Sequence, residues 1–423
     1  MMMSKLWAMP FWQKVLVGFG LGILAGVVLG EQATALKPLG DAFIALIKML
    51  VAPLVFFAIA VSFTSMDNST NFKRLGAKTI GMFMLTATIA SLIGLGIGSL
   101  LDLGAGVQLQ AAEVKERVIP SFSQVLIDMI PVNPIAALAE GKVLQIIVFA
   151  ILVGISVNAI GEKGEPMKKL IASGSEVMYQ LTRYVLKLTP IGVFGLMAWV
   201  VGEYGLATLL PLSKFIVAIY IACLIHIIFV YGGMIKFVAK LSPIQFFRKA
   251  MPAQLVAYTT ASSFGTLPVT NRCATQGMGV SKKYASFVLP MGATMNMDGC
   301  GGIYPAIAAI FIAQLYGIPL DFGHYVLIMV TATVASIGTA GVPGSAMVML
   351  TVTLNAVGLP LEGIAFIAAI DRVIDMMRTA TNVTGDMMTS VVVGRSEGLL
   401  DEVVFNSEAP ASETPDEGKA SAA

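Results

Sequence analysis

The chain has 423 residues, of which 57% are hydrophobic and only 12% charged, with a mean hydropathy of +0.83. Ordinary soluble domains are roughly 25% charged, so a cytosolic enzyme and a disordered protein are both poor fits. Apolar stretches near the ~20 residues that cross a bilayer recur along most of the sequence and predict a polytopic, all-α membrane protein lodged in a lipid bilayer.

Taken in chain order, the predicted spans cover about residues 15–30, 42–63, 79–101, 143–160, 185–201 and 215–237. Lys5 and Lys14 lie at the start, and no small-residue cleavage pattern stands out, so the first stretch reads as a retained span. Pro53 lies inside the second and Pro190 near the start of the fifth. A mixed-polarity loop with Glu113, Lys115, Glu116 and Arg117 separates the third and fourth. Beyond residue 240 the apolar segments shorten and are broken by Gly, Pro, Ser and Thr. From Glu397 onward the tail is acidic, rich in Pro, Ser and Ala, and reads as disordered.

Basic residues cluster on the cytoplasmic side of membrane proteins. Lys5 and Lys14, then Lys73, Arg74 and Lys78, then Lys163, Lys168 and Lys169, then Lys236, Lys240, Arg248 and Lys249 alternate as one face should. The loop after the fifth span has Glu203 and no base, as the opposite face should. The segment between Lys249 and the next bases, Arg272, Lys282 and Lys283, has two cytoplasmic ends, so it cannot cross once. A re-entrant hairpin with its tip at residues 262–268 solves the parity. No Lys or Arg occurs between Lys283 and Arg372. That stretch holds a span over about 285–316 and a second broken segment at Gly338–Gly344, read as a hairpin entering from outside. A last span over about 364–393 returns to the cytoplasm, which places both termini there. Oppositely oriented hairpins suggest an inverted repeat, and broken backbone at membrane depth belongs in protein or along a cavity. Kinks in ordinary helices are the plainer reading, against which the charge parity argues.

The last span carries Asp371, Arg372, Asp375, Arg378, Thr379, Asn382 and Asp386. At roughly 100° per helical residue, Asp371, Arg378, Thr379, Asn382 and Asp386 all fall within about 60° of Asp375, and Arg372 falls on the edge of the arc opposite Arg378. Ionised groups are costly in a bilayer and generally line a pathway or pair internally. Arg378 offers a planar fork for a carboxylate, Asp375 an acceptor for an ammonium, and Asn382 a donor to a second carboxylate. Asp386 with nearby carbonyls suits a hard monovalent cation. A small anion with one amine and two carboxylates fits the set, although Asp375 and Arg378 could simply neutralise each other at i, i+3.

Asn296-Met297-Asp298-Gly299 interrupts the preceding span, and Asp298 has no neighbouring base in sequence. A cation would compensate it; a structural acid capping a helix break is the alternative. Ser262 and Ser263 could cap a half-helix or bond substrate. His226, on an apolar helix, reads as a packed polar residue rather than a proton relay. The cysteines Cys223, Cys273 and Cys300 and the histidines His226 and His324 have no zinc or disulfide spacing, and a net charge of +2 suggests no nucleic-acid partner.

At these residues the sequence resembles the dicarboxylate/amino acid:cation symporter family, which includes the glutamate transporters. The motifs are Ser262-Ser263 with Thr266-Leu267-Pro268, Asn296-Met297-Asp298-Gly299, Gly341-Val342-Pro343-Gly344, and Asp371-Arg372 through Asn382-Val383-Thr384-Gly385-Asp386, and the topology matches over about residues 11–396. The resemblance implies eight transmembrane helices, two oppositely oriented re-entrant hairpins at about 244–281 and 325–358, and a homotrimer. It implies a scaffold from residues 1–78 and 103–208, a transport unit from 79–102 and 209–396, and a tail from 397. The unit would move like an elevator, with the outer hairpin as gate. By residue match, Asp375 binds the substrate amine, Arg378 its side-chain carboxylate and Asn382 its main-chain carboxylate. Thr379, Ser262, Ser263, Val342 and Gly344 complete the pocket. One sodium site uses Asp386 with carbonyls of Gly292, Asn296 and Asn382. A second uses carbonyls of Ser336, Ile337 and Thr339 near Thr294 and Met297, and a third uses Asp298, Asn296 and Thr86.

The sequence departs from the family pattern in three places. Cys300 stands where threonine often follows the Asn-Met-Asp-Gly run, Phe83 and Ala87 stand where some members have tyrosine and serine, and Pro305 replaces the glutamate of potassium-coupled relatives. No potassium counter-transport is therefore expected. The expected function is secondary active symport of aspartate or glutamate with sodium in a bacterial-type inner membrane. Proton coupling or a C4-dicarboxylate such as succinate or malate is the alternative. No cofactor is expected beyond the co-transported Na+ or H+, and no enzymatic activity. Arg378→Ala is expected to abolish aspartate affinity while leaving folding largely intact.

Overall fold

The computed structural model describes residues 11–64, 70–104, 127, 130–206, 209–339, 341, 344–368 and 370–407. Among these the chain is helical throughout, apart from one antiparallel bridge between Val280 and Leu400. The helices are α1 (Phe11–Leu29), α2 (Lys37–Thr64), α3 (Thr70–Leu100), α4 (Pro134–Glu140), α5 (Val143–Ala159), α6 (Glu165–Leu186) and α7 (Thr189–Tyr204). There follow α8 (Leu209–Ile225), α9 (Pro243–Thr260), α10 (Ser263–Arg272), α11 (Lys282–Met295), α12 (Tyr304–Leu315), α13 (Phe322–Ser336) and α14 (Ser345–Ala356). The last are α15 (Ile364–Ala368), α16 (Asp371–Ser396) and α17 (Glu402–Asn406).

Among the described residues, four helical stretches are long and apolar enough to cross a membrane: Val17–Phe43, Arg74–Leu100, Leu210–Val238 and Lys282–Leu315. The bent pair α6–α7 makes a fifth if taken as one span, and shorter apolar helices occupy Ala52–Val61, Gln145–Ala159, Phe322–Ser336 and Ser345–Ala356. With this density of apolar helix the chain is a multi-pass membrane protein.

The fifth predicted span begins earlier than its hydropathy suggests. Lys163–Lys169 reads as loop because it is charged, yet α6 starts at Glu165 and runs to a 49° bend before α7. Its buried residues are Ile171, Ser175, Met178, Thr182 and Val185, spaced by four and three in turn. That spacing is an apolar stripe on one helix face, with charge confined to the other. Pro190 sits in the first turn of α7, where its missing N–H costs nothing.

Helices α1, α2, α5, α6 and α7 pack mainly on one another. Close approach is bought by small residues: a Cβ on Gly22 of α1 would lie 2.7 Å from the Phe194 carbonyl oxygen of α7. A second group gathers on α16, whose residues from Met377 to Gly394 are buried throughout. Around it stand α3, α8, α9, α10 and α11, with the irregular stretch between α11 and α12. Two helix–turn–helix pairs belong to this group. In the first, α9 ends at Ala261, which takes the left-handed conformation (φ 50°), and Ser262 caps α10 through its Oγ and the Gly265 N–H. In the second, α13 and α14 are joined through 337–344, and Asp321 and His324 start α13 with a reciprocal capping box.

The tail expected to be disordered from Glu397 is structured as far as Ser407. Glu397 pairs with Arg74 at 2.5 Å and with Lys78, the Leu399 carbonyl accepts from the Ser281 N–H at 2.8 Å, and Phe405 is fully buried. Lys249 of α9 donates to the carbonyls of Val404 and Phe405. The acidic composition hides one aromatic anchor and one well-placed carboxylate. Lys78 and Arg74 hold the Glu397 carboxyl below its ordinary range. A depressed carboxyl contributes stability that is complete above its unfolded value, about 4.3, and is lost as pH falls through the folded one. Melting temperature is therefore expected to drop more on acidification in the wild type than in Glu397→Gln. Parallel melts of both proteins from pH 7 to pH 3 would check this, and identical acid losses would count against the contact.

Candidate functional site

The predicted stripe on α16 is gathered in the protein interior. Arg378 is fully buried; its Nη2 lies 2.7 Å from Asp371 Oδ1 and 3.1 Å from Asp375 Oδ1. The Tyr304 ring lies against the guanidinium, with Cζ 4.0 Å from the ring centroid. Among the described residues, Nε and Nη1 of Arg378 have no hydrogen-bond partner. A buried guanidinium with idle donors is costly, and an arriving carboxylate would satisfy them in the planar, bidentate geometry that arginine favours.

Asp375 is surrounded by weaker donors. Its Oδ2 accepts from the Gly344 N–H at 3.1 Å, and its Oδ1 from Thr379 Oγ1 at 3.5 Å and Cys300 Sγ at 3.7 Å. Asn382 Oδ1 accepts from the Gly299 N–H at 2.8 Å, and its Nδ2 faces Met297 Sδ at 3.1 Å. Gly299 is required here, because a Cβ on it would lie 2.5 Å from the Arg378 carbonyl oxygen. The two tips meet at this level. The Gly341 carbonyl accepts from Ser262 Oγ and from the Phe264 N–H, each at 3.1 Å, and Ser263 is buried beside it. Val342 lies outside the described residues.

One layer further along α16 lie the predicted cation ligands. Asp386 is buried; Asn296 Nδ2 donates to its Oδ1 at 2.9 Å, and Gly292 packs directly against the carboxylate. Asp298 is fully buried, and its Oδ2 contacts Tyr231 Oη at 2.7 Å and His226 Nε2 at 3.0 Å. Among the described residues Asn296 Oδ1 and Asp298 Oδ1 are buried acceptors without donors, the kind of orphaned oxygens a cation would satisfy. Ser336 Oγ bridges the Met295 carbonyl and the Met297 N–H at 3.2 Å each, tying the end of α13 to the break after α11. Thr294, Thr339 and Thr86 are buried, with hydroxyls turned to carbonyls of their own helices, those of Met291, Ala335 and Phe83. Ile337 lies at the C-terminal end of α13 beside them.

Three contributors are missing from the sequence expectation. His226 and Tyr231 are the partners of Asp298, 72 and 67 residues before it. They lie where α8 widens into π-helical turns, His226–Tyr231 and Met234–Val238, a local form common at functional sites. Hydropathy does not register that change, so His226 reads as mere packing. Tyr304 is the third, and its only sequence signal is an aromatic following a glycine-rich break. Packing here is tight: a Cβ on Gly385 would stand 2.5 Å from Tyr231 Oη and 2.7 Å from Asn296 Nδ2. Gly385→Ala is expected to destabilise by about 1–3 kcal/mol, typical of overpacking, read as a lower melting temperature with weaker response to sodium.

Buried acids and a buried arginine at the centre of an all-helical membrane protein mark a site for charged groups within the membrane-spanning part of the chain. The chain matches the sodium:dicarboxylate symporter family over residues 11–396. It is 37% identical over 407 residues to a proton/sodium-glutamate symport protein of Geobacillus stearothermophilus, covering 92% of this chain and 95% of that protein. It is 38% identical over 408 residues to the protein of that name from Bacillus caldotenax, with the same coverage. A C4-dicarboxylate transport protein of Aeromonas salmonicida (strain A449) is 34% identical over 415 residues, covering 96% of each. The chain belongs to the sodium:dicarboxylate symporter family. Its family is one of symporters and these relatives are transport proteins, so it is a transporter and not an enzyme.

Proposed function

We propose that this protein is a secondary active symporter that carries aspartate or glutamate with sodium. The observation that carries the reading is Arg378: a fully buried guanidinium with two idle donor groups, flanked by Asp371 and Asp375. Arg378 takes the side-chain carboxylate, Asp375 the amine, and Asn382 the main-chain carboxylate, with Thr379, Ser262, Ser263, Val342 and Gly344 closing the pocket. Sodium travels as a second cargo. Its ligands are Asp386 with carbonyls of Gly292, Asn296 and Asn382; carbonyls of Ser336, Ile337 and Thr339 near Thr294 and Met297; and Asp298 with Asn296 and Thr86. The orphaned oxygens of Asn296 and Asp298 support that assignment. The cation must enter with the anion, because an empty carrier would otherwise move uncompensated acids through the bilayer.

In this reading eight spans and two re-entrant hairpins, α9–α10 and α13–α14, make up the chain. The group around α16 slides as an elevator against a scaffold of α1, α2 and α5–α7, in a homotrimer of the bacterial inner membrane with both termini cytoplasmic. The separate packing of the two helix groups supports this division.

A plain C4-dicarboxylate is the second reading, and one observation favours it. Both oxygens of Asp375 already have partners, Arg378 and Gly344, and the Cys300 thiol is a weak donor beside them. Labelled aspartate and labelled succinate, offered to proteoliposomes under separate sodium and proton gradients, test both readings. Aspartate accumulation under sodium supports the first. Aspartate accumulation under protons alone assigns the acids to proton carriage. Succinate accumulation without aspartate removes the amine role of Asp375.

A further inference from the structure

The pocket assignment leaves out one charged residue of α16, Arg372. Its side chain reaches the end of α9. Nη2 lies 3.1 Å from the Thr259 carbonyl oxygen and 3.2 Å from that of Thr260, and Nη1 lies 3.2 Å from the Thr260 oxygen. The last carbonyls of a helix have no partner in the helix and carry its negative dipole end. A guanidinium satisfies two of them with one planar fork, which a lysine ammonium cannot do in the same geometry.

A second tie joins the same two turns independently. Tyr258 of α9 contacts Tyr220 Oη of α8 at 3.1 Å, and Tyr220 Oη donates to the Val373 carbonyl of α16 at 2.9 Å. Immediately beyond these residues lies the tip. Ala261 takes a left-handed conformation that only glycine adopts freely. Ser262 then caps α10 and meets the Gly341 carbonyl of the other helix pair. A tip built on a disfavoured turn needs an external restraint on the helix before it, and Arg372 stands where that restraint acts.

We propose that Arg372 is a positioning residue: it fixes the last turn of α9 to the start of α16 and so holds Ser262 where it meets Gly341. The residue before it, Asp371, holds Arg378. A carboxylate arriving at Arg378 therefore acts on the turn that carries the clamp. The prediction for transport rate rests on the symport reading above; the clamp itself is read without transport.

The test compares full-length wild type, Arg372→Gln and Arg372→Lys by hydrogen–deuterium exchange and by sodium-driven uptake of labelled aspartate per inserted molecule. In Arg372→Gln, amides of residues 255–262 are expected to exchange about tenfold faster or more, as local opening requires, with α7 and α12 unchanged. The lysine variant, which keeps the charge, recovers part of that protection. Maximal uptake falls about fivefold or more while KM rises by less, because lost closure slows turnover while the Arg378, Asp375 and Asn382 contacts remain. Unchanged exchange at 255–262 overturns the clamp. Exchange that rises across the whole chain, without lysine rescue, overturns it in favour of a general folding role. Local loosening with an unaltered uptake rate overturns the positioning role. If wild type takes up no aspartate, the symport reading fails and the exchange comparison alone decides the clamp.

Discussion

Arg378→Ala is expected to reduce uptake of acidic amino acids at least a hundredfold, and to weaken the fold as well. The sequence alone suggests a variant that folds normally, because an arginine on a polar stripe reads as a ligand for something external. In the structure Nη2 also holds Asp371 at 2.7 Å and Asp375 at 3.1 Å, with all three side chains nearly or fully buried. Removing one member of a buried charge network costs about 3–5 kcal/mol, because the others are left uncompensated. The Tyr304 ring loses its cation in the same step. Arg378→Lys separates the two effects, since it keeps a charge between the acids and removes the fork. The lysine variant is expected to retain most of the melting temperature and to lose aspartate affinity at least tenfold. Uptake assays and melts on both variants check this. Wild-type uptake by the alanine variant would remove Arg378 from substrate binding altogether.

Asp386→Asn is the second large expectation. Asp386 is 2% exposed and has Asn296 as its hydrogen-bond donor; among the described residues no cationic side chain pairs with it. A buried carboxylate left without a counter-charge is costly, so a bound cation is the natural compensation. In wild type, sodium should raise the melting temperature, since a ligand at a hundred times its Kd stabilises by about 2.7 kcal/mol. The neutral, isosteric asparagine removes the charge and leaves the packing against Gly292 and Asn296. The variant is expected to melt at or above wild type without sodium, to show a smaller sodium-dependent rise, and to need roughly a hundredfold more sodium for half-maximal uptake, equivalent to about 2.7 kcal/mol. Sodium stimulation that matches wild type in both assays would take Asp386 out of the cation sites.

Membrane residence, helical class and the stripe from Asp371 to Asp386 were legible in sequence because each rests on a local regularity. Apolar run length sets a span, and 3.6-residue periodicity sets a face, whatever the rest of the chain does. The helix breaks at residues 261–262 and 296–297 were legible for the same reason, since Gly, Pro and Ser interrupt helices locally, although the segment read as broken over 262–268 is helical from Ser263 onward. Amphipathic α6 was not, because its stripe from Ile171 to Val185 is diluted by charge in any hydropathy window. The ordered stretch at 397–407 was missed for a similar reason: Phe405 is one apolar residue in an acidic stretch, and what it packs against, Lys249 included, lies far away in sequence.

Sequence by itself determined which residues lie on one helical face, and hence that Asp375, Arg378, Asn382 and Asp386 share it. Only the tertiary structure decided which groups they meet. The partners of Asp298 are His226 and Tyr231 on α8, the Gly341 carbonyl joins the Ser262 tip, and Arg372 reaches the end of α9. The physical reason is range. Helix periodicity acts within a few turns, whereas buried donors and acceptors are matched across helices far apart in sequence, where only the packing of the whole chain brings them within hydrogen-bond distance.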